Sequence, residues 1–508
     1  MALARAGATD HALRSLEALG PPEENADPAA RTVYGRLLKD LARRGTGDEK
    51  RRLFGRAAEA YRAASAAAPS SYALINAATL SMLAGSDEQA RQLAGETIDL
   101  LDRAPEEAET PYYLSATRAE ALLLLGREDQ ARSAFAQAMA IAPLAWEDHA
   151  STLRQFALIL EAQGSDVGWL DAHRPPKSLH FGGHMSFAGG DRQEGLKGTI
   201  AALLDAEKVG FGFGAFAAGA DIIIAEALLD HGAELHAVLP GGAEAFAAVS
   251  VDPFGAEWRR RFNAVLARAA EVRVVQPIGA APDENTIAIA DEVAMGAAVM
   301  NARRLESHAA QLLVVADSAS QRARNAWADA GWAQHILAAP RDDEAGAGAP
   351  SQSAPRSRRL ALLAFAPAPG TGFEEWLAGL PDALGDAAAA VGPYLSGNAV
   401  LLGFAAVSDA ARAAITLRSA LPDTRIGGHY AAARVYRDPF SGRERVAAES
   451  AAAAEGALAS ALAGMAYVTD DFAAALVATG PRAPRSEYIG ELEANDGAPP
   501  LGLFVLKS

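Results

Sequence analysis

Residues 209–240, VGFGFGAFAAGADIIIAEALLDHGAELHAVLP, decide the fold of the middle of the chain. A β-like run (209–216) passes through the loop Ala218-Gly219-Ala220-Asp221 into an apolar helix that closes at Gly232, and ELHAVLP (234–240) forms a second apolar strand. A strand, a glycine loop, a helix and a strand make a βαβ unit, which requires two parallel strands. The alternation continues outward, with strands at LHFGG (179–183), EVRVVQ (271–276), QLLVVAD (311–317) and QHILAA (334–339). Helical patterns fill 192–206, 221–231, 257–270, 285–305 and 320–331. The expectation over 178–340 is a doubly wound, mostly parallel sheet.

Upstream, residues 1–174 show helical periodicity with Gly and Pro only at the joints, and this part is expected to be all-α. Ala57, Tyr61, Ala64 and Pro69 share their spacing with Ala131, Phe135, Ala138 and Pro143, while Gly126, and Gly85 with Ala90, mark turns between paired helices. Small residues let two helices approach, the aromatic fills the gap and the proline ends the second helix. These features resemble tetratricopeptide repeats over roughly 50–150; a plain helical bundle is the competing reading. Repeats of that kind imply a concave face for a protein partner. Downstream, RDDEAGAGAPSQSAPRSRR (341–359) is polar and rich in Gly, Pro and Ser, and reads as a linker. Residues 360–508 read as α+β, with strands at 360–367, 398–404, 425–437 and two near the end, helices near 372–391, 407–420 and 446–463, and all helices on one face of one sheet.

Of the 508 residues, 50% are hydrophobic and 21% charged, enough apolar material for several cores. The net charge of −17 argues against a nucleic-acid partner. The absence of cysteine excludes disulfides, thiolate nucleophiles and cysteine-based metal sites, and suits a reducing cytoplasm. The first twenty residues lack the long apolar core of a signal peptide and no apolar run approaches a bilayer span, so a cytoplasmic protein with no membrane partner is expected.

In an open parallel sheet a ligand lies beyond the carboxyl ends of the strands. There the sequence places Gly182, Gly183 and His184, then Gly219, Ala220 and Asp221, then Pro240-Gly241-Gly242. Glycine admits a ligand close to the backbone, and the helix opening at Asp221 aims free N–H groups at the same space. Asp221 equally suits a helix N-cap, Glu226 a solvated helix face and His184 a plain loop. Gly214 ends a run in which Gly210, Gly212 and Gly214 alternate, a pattern that suits close packing better than a dinucleotide fingerprint. The stretch Gly190 to Lys197 is rejected as a phosphate loop because Lys197 comes one place late and Gly198 replaces the hydroxyl residue.

FGGH followed by AAGADIIIAEALLDHGAELHAVLP resembles the SLOG superfamily, Rossmann-like domains that sense nucleotide-derived ligands or, in some branches, cleave N-glycosidic bonds. The resemblance implies a ligand site at Gly182, Gly183, His184, Gly214, Gly219, Ala220, Asp221 and Glu226, joined by Asp317 and Ser318 where such families carry a second glycine-rich loop. In this chain that loop has lost its glycines.

Residues 360–508 resemble class III adenylate and guanylate cyclase domains through LLAFAPAPG, SGNAVLLGF, RIGGH, YRDPFSGRE and SEYIGEL in that order. The resemblance implies two metal-binding aspartates, yet Pro367 and Asn398 stand at their places. Ser450 and Ala454 occupy the transition-state positions, and Glu493 to Asp496 supply no base-reading lysine. A catalytically inactive cyclase-like domain is expected, with no metal site, and the resemblance implies homodimer association.

The combined expectation is a non-catalytic signalling or scaffold protein: partner binding by helical repeats, a nucleotide-derived ligand in the Rossmann-like domain, and no fixed cofactor. The alternative is a nucleotide or nucleoside N-glycosidic hydrolase with Asp221 or Glu226 as the working carboxylate.

Overall fold

The computed structural model describes residues 9–103, 109–185, 191–275, 282–316, 327–340, 357–480, 482–492 and 500–507. The chain divides into two compact units, Met1–Pro175 with Arg304–Glu306, and Pro176–Arg303 with Ser307–Ser508.

The first unit consists of helices, α1 (Thr9–Glu17), α2 (Pro28–Arg44), α3 (Gly47–Ala67), α4 (Ser71–Leu83), α5 (Asp87–Asp102), α6 (Pro111–Leu124), α7 (Glu128–Ile141) and α8 (Trp146–Gln163). The repeated residues sit where the spacing put them: Ala57, Tyr61 and Ala64 are buried on α3, and Ala131, Phe135 and Ala138 on α7. A Cβ on Gly35 of α2 would come 2.8 Å from the Tyr61 ring, so a bare backbone on one helix receives the aromatic of the next. Gly85 (φ 87°) and Gly126 (φ 70°) turn the chain between α4 and α5 and between α6 and α7 in the left-handed conformation that favours glycine. The position four residues after Ala90, which matches Tyr61 and Phe135, holds the fully buried Ala94, a smaller filler for the middle pair.

The second unit begins with six strands, β1 (Lys177–Gly183), β2 (Val209–Gly214), β3 (Glu234–Leu239), β4 (Glu271–Val274), β5 (Ala309–Val315) and β6 (Ala333–Ala338). They pair in the order β4-β3-β2-β1-β5-β6, all parallel. The chain winds outward from β1 to β4 and returns to the other side of β1 with β5, so the winding reverses between β1 and β5. Connecting helices are α9 (Asp191–Glu207), α10 (Ala220–Asp230), α11 (Ala243–Ser250), α12 (Ala256–Leu266) and α13 (Glu284–Arg304). Helix α11 was not foreseen; its eight residues are too few to establish a helical period. The expected helix at 320–331 lies mostly outside the described residues.

Residues from 357 onward build a second sheet. Strands β7 (Ser357–Pro367), β8 (Val391–Ser396), β9 (Ala399–Phe404) and β10 (Thr424–Arg437) pair antiparallel in the order β10-β7-β9-β8, with α14 (Phe373–Leu384) and α15 (Val407–Ala420) as crossovers. The sheet extends past β10 through β12 (Ala466–Thr469), β14 (Leu501–Leu506) and β13 (Ser486–Leu492), while β11 (Glu444–Val446) forms a hairpin on β10. The remaining helices are α16 (Ala448–Ser460) and α17 (Asp470–Ala478).

Alternation along LALLAFA sets the layers. Ala361, Leu363 and Phe365 join the core beneath α14, α15 and α17, whereas Leu360, Leu362, Ala364 and Ala366 face α16. The helices therefore cover both faces of this sheet, not one. The register requires it, since both sets of alternate residues on β7 are apolar and both must be buried.

The sequence reading separated 178–340 from 360–508 by a linker at 341–359, of which 341–356 lies outside the described residues. On either side of that stretch the chain shares one core: Ile289, Ala290, Val293 and Ala294 of α13 pack in the same cluster as Phe365, Leu402 and Phe472. Helix α13 also meets α17 directly, because Gly296 brings its bare backbone against Ala474.

Candidate functional site

A cavity of about 650 Å³ opens at the carboxyl ends of β1 and β5, where the winding of the parallel sheet reverses. Its floor is Phe181–Gly183 and Leu313–Val315. One wall is α13, and the opposite side comes from the second sheet and its helices: Ala406 and Val407 at the start of α15, Tyr430 on β10, and Ala475 and Thr479 on and just after α17. The site thus belongs to both sheets of the second unit.

Of the residues expected at the site, Gly182, Gly183, His184 and Asp221 line the cavity. The glycines are required by packing as much as by access: a Cβ on Gly183 would lie 2.5 Å from the Ala220 methyl and 2.8 Å from the Val314 carbonyl oxygen. The His184 ring is anchored, with Nε2 2.9 Å from the Ala339 carbonyl and Nδ1 3.2 Å from that of Met185. Gly219 and Ala220 stand behind this loop. The Ala220 N–H donates to the His184 carbonyl (3.2 Å) and Gly219 bridges Met185, so these two hold the lining without joining it.

Two expected residues belong elsewhere. Gly214 is closed by β1, since a Cβ there would meet the Phe181 carbonyl oxygen at 2.7 Å; Gly210 and Gly212 are closed in the same way by Pro176 and Leu228. Glu226 does not line the cavity. Its carboxylate is held by the Arg261 guanidinium, Nε to Oε1 at 2.8 Å and Nη2 to Oε2 at 2.7 Å, and Arg261 stacks over the Trp258 ring. That bidentate pair fastens α10 to α12 and removes Glu226 as a working carboxylate. Asp317 and Ser318 lie outside the described residues. Lys197 pairs with Asp230 at 2.6 Å, a contact with no relation to the cavity.

Asp221 is 7% exposed. Gly219, not Asp221, occupies the N-cap position, and the Asp221 carboxylate turns back so that Oδ2 accepts the Ala217 N–H at 3.3 Å. Oδ1 is buried with no hydrogen-bond partner among the described residues, the nearby Gly183 N–H falling short of hydrogen-bond geometry. Burial pushes this carboxyl up to about 8; the Ala217 N–H opposes the shift and the negative charge of Asp291 adds to it. At neutral pH the group is largely a protonated acid facing an apolar space.

The sequence reading missed the acidic wall. Asp291 and Glu292 are adjacent on α13, and Glu284 opens that helix at the cavity mouth. Glu292 is neutralised, accepting from Arg359 Nη1 at 2.8 Å and from the Tyr430 hydroxyl at 2.6 Å. Asp291 stays 42% exposed and has a histidine behind it: His180 Nε2 lies 3.2 Å from Asp291 Oδ1. The buried His180 ring is oriented through the sheet, because Gln334 donates to Gln311 Oε1 (2.6 Å) and Gln311 Nε2 donates to His180 Nδ1 (2.9 Å). In a neutral ring this leaves the proton on Nε2, the nitrogen nearest Asp291. Two adjacent acids inside the apolar run IAIADEVAMG were the available signal, since one of them must turn toward the core side of the helix. Among the described residues no three acidic or imidazole side chains converge as a metal centre.

The two positions of the cyclase resemblance also have clear places. Pro367 ends β7 and Asn398 lies in the turn between β8 and β9. Neither side chain carries an anionic oxygen. Glu493 to Asp496 lie outside the described residues. No described helix is long and apolar enough to cross a membrane.

Comparison with known proteins gives three results. Residues 1–81 match the family model described as Tetratricopeptide Repeats-Sensor. No match is found among curated proteins. Among solved structures the chain is similar to several adenylate and guanylate cyclases. An adenylate cyclase from Trypanosoma brucei is 12% identical, with 31% of this chain and 90% of that chain covered and a TM-score of 0.26. The adenylate/guanylate cyclase/hydrolase from Silicibacter pomeroyi is 16% identical, with 30% and 97% covered and a TM-score of 0.25. The adenylyl cyclase CyaB from P. aeruginosa is 9% identical, with 30% and 96% covered and a TM-score of 0.25.

Proposed function

We propose that the chain is a small-molecule sensor whose ligand occupies the cavity at the ends of β1 and β5, with the helical N-terminal unit as its protein-binding part. One observation carries the reading: the cavity is walled on one side by the parallel sheet and on the other by α15, β10 and α17. A ligand seated there touches both layers of the second unit at once, and its binding energy bears on how they pack. The volume of about 650 Å³ falls within the range that encloses a drug-sized or nucleoside-sized molecule. The Tetratricopeptide Repeats-Sensor match over residues 1–81 supports the protein-binding half of this assignment.

In this reading the cyclase-like part is structural. Cyclase chemistry needs carboxylates to hold two divalent ions, and Pro367 and Asn398 provide none. Hydrolysis at the central site has less support, because Glu226 is tied to Arg261 and Asp221 is buried and largely protonated. A thermal-shift and calorimetric screen of the full chain against nucleosides, nucleotides, NAD, ADP-ribose, amines and amino acids tests the proposal. A ligand that raises the unfolding temperature and slows amide exchange in both β1 and α17 is expected; no binding by any class at millimolar concentration removes the sensor assignment. Cyclic nucleotide formed from ATP or GTP with Mn²⁺, and lost on mutating a pocket residue, would overturn the inactive assignment.

A further inference from the structure

The charge on the cavity wall narrows the class of ligand. Asp221, Glu284, Asp291 and Glu292 line it, and among the described residues no lysine or arginine does. Glu292 is balanced by Arg359, which leaves Asp291 and Glu284 with no lysine or arginine partner among the described residues, around a largely apolar space. A phosphate entering this space would meet like charge, with no lysine or arginine among the described lining residues to offset it. Helix N-termini favour an anion, and α10, α13 and α15 all begin at the cavity, but α10 and α13 carry Asp221 and Glu284 in their own first turns; α15 begins at Val407. Its N-terminus supplies roughly half a positive charge and carries Asp409 in its own first turn. Two carboxylates outweigh it.

Resting on the sensor assignment above, we propose that this cavity takes a cationic amine with an apolar or aromatic body, its ammonium held by Asp291 and its body against the exposed side chains of Met185 and Ile287. Two independent features of the site support the assignment. Asp291 has the His180 ring 3.2 Å behind it, at ion-pair distance without hydrogen-bond geometry, and Gln311 and Gln334 fix that ring in place while 42% of the aspartate side chain faces open space. The second feature is Asp221 Oδ1, buried in the cavity wall with no partner among the described residues; an ammonium beside it favours the ionised carboxylate, which then accepts the ammonium N–H. An ammonium has three donors and a protein site for it needs acceptors, which this wall supplies. The apolar majority of the lining would then cover the ligand body.

Three fluorescent probes that share one aromatic body test this in the full chain: monodansylcadaverine, which ends in a primary ammonium, its N-acetyl derivative, and dansyl-6-aminohexanoate, which ends in a carboxylate. The ammonium probe is expected to bind with enhanced, blue-shifted emission and at least ~10-fold tighter than the other two. Asp291→Asn should abolish that preference without lowering the unfolding temperature, and Ala406→Trp at the cavity mouth should block the probes. Asp221→Asn keeps the size of the acid and serves as a second variant, expected to weaken the ammonium probe selectively. Equal binding of all three, best binding by the carboxylate or by ATP, or preference retained in both acid variants overturns the cationic class and leaves the sensor assignment standing. If no probe binds but another neutral compound does, the class again fails alone. If nothing binds, both fall.

Discussion

A Cβ built on Gly296 would lie 1.9 Å from the carbonyl oxygen of Ala474. Helix α13 of the parallel sheet and helix α17 of the second sheet therefore touch backbone to backbone, and any side chain at 296 would push them apart. Overpacking at such a contact typically costs about 1–3 kcal/mol. Gly296→Ala should lower the unfolding temperature of the second unit by several degrees, and Gly296→Val by more, as read by calorimetry. The wild-type second unit should melt in one transition. Two separate transitions, or an unchanged melting temperature in both variants, would show that the layers are not joined at this contact.

Asp221 makes stability depend on pH in a defined direction. Its folded-state value is raised to about 8, mainly by burial, from an ordinary value of 3.8. The unfolded chain therefore releases this proton first as pH rises, and the stability held at low pH is lost progressively between those two values. Asp221→Asn cannot ionise and should escape the loss. Comparison of melting temperatures at several pH values between 5 and 8 should show the variant gaining on wild type as pH rises, by on the order of a few kcal/mol at the upper end. A gap that does not change with pH would contradict a protonated Asp221.

Most of the parallel layer was legible because each strand is a short apolar run bounded by glycine or a charged residue, and periodicity alone separates it from its helices. Gly183 and Asp221 could be placed beside the cavity from the sequence because Gly183 ends β1 and Asp221 opens the helix after β2. What was not legible depends on long-range contact. The wall formed by Tyr430 and Ala475 comes from a part of the chain whose packing against α13 no local pattern announces. The short β12 and α17 escaped notice because AYVTDDFAAALVA is buried almost throughout and so shows little polar alternation to mark its period. Glu226 looked exposed and available by helical spacing, and only its contact with Arg261, thirty-five positions away, showed it to be in use.

In the helical unit, Phe135 is fully buried and packs edge-on against Phe156 at 5.1 Å between ring centres. Phe135→Ala leaves a void that neighbouring alanines cannot fill, with an expected cost of about 3–5 kcal/mol. Chemical denaturation followed by far-ultraviolet circular dichroism should show the helical transition moved to lower denaturant. Phe135→Leu should recover most of the loss. If alanine is tolerated, the aromatic of the repeated pattern is not what fills the space between these helices.

Arg273 on β4 joins the two layers electrostatically. Its guanidinium contacts both Asp471 and Asp470, the latter at 2.7 Å, at the start of α17. Burial raises both carboxyls and the arginine charge opposes it, so the aspartates depend on Arg273 to stay ionised. Arg273→Met removes the cation and strands two buried acids, which should cost about 3–5 kcal/mol. Asp471→Asn alone should cost less, because Asp470 still partners the arginine. In the double variant the losses should fall short of the sum of the singles, since the acid freed of its partner has been neutralised. A double-mutant cycle by calorimetry measures this coupling, expected at roughly 1–3 kcal/mol. Strict additivity would mean that the three charges do not act as one group and that the join between layers rests on apolar packing at Gly296 and its neighbours.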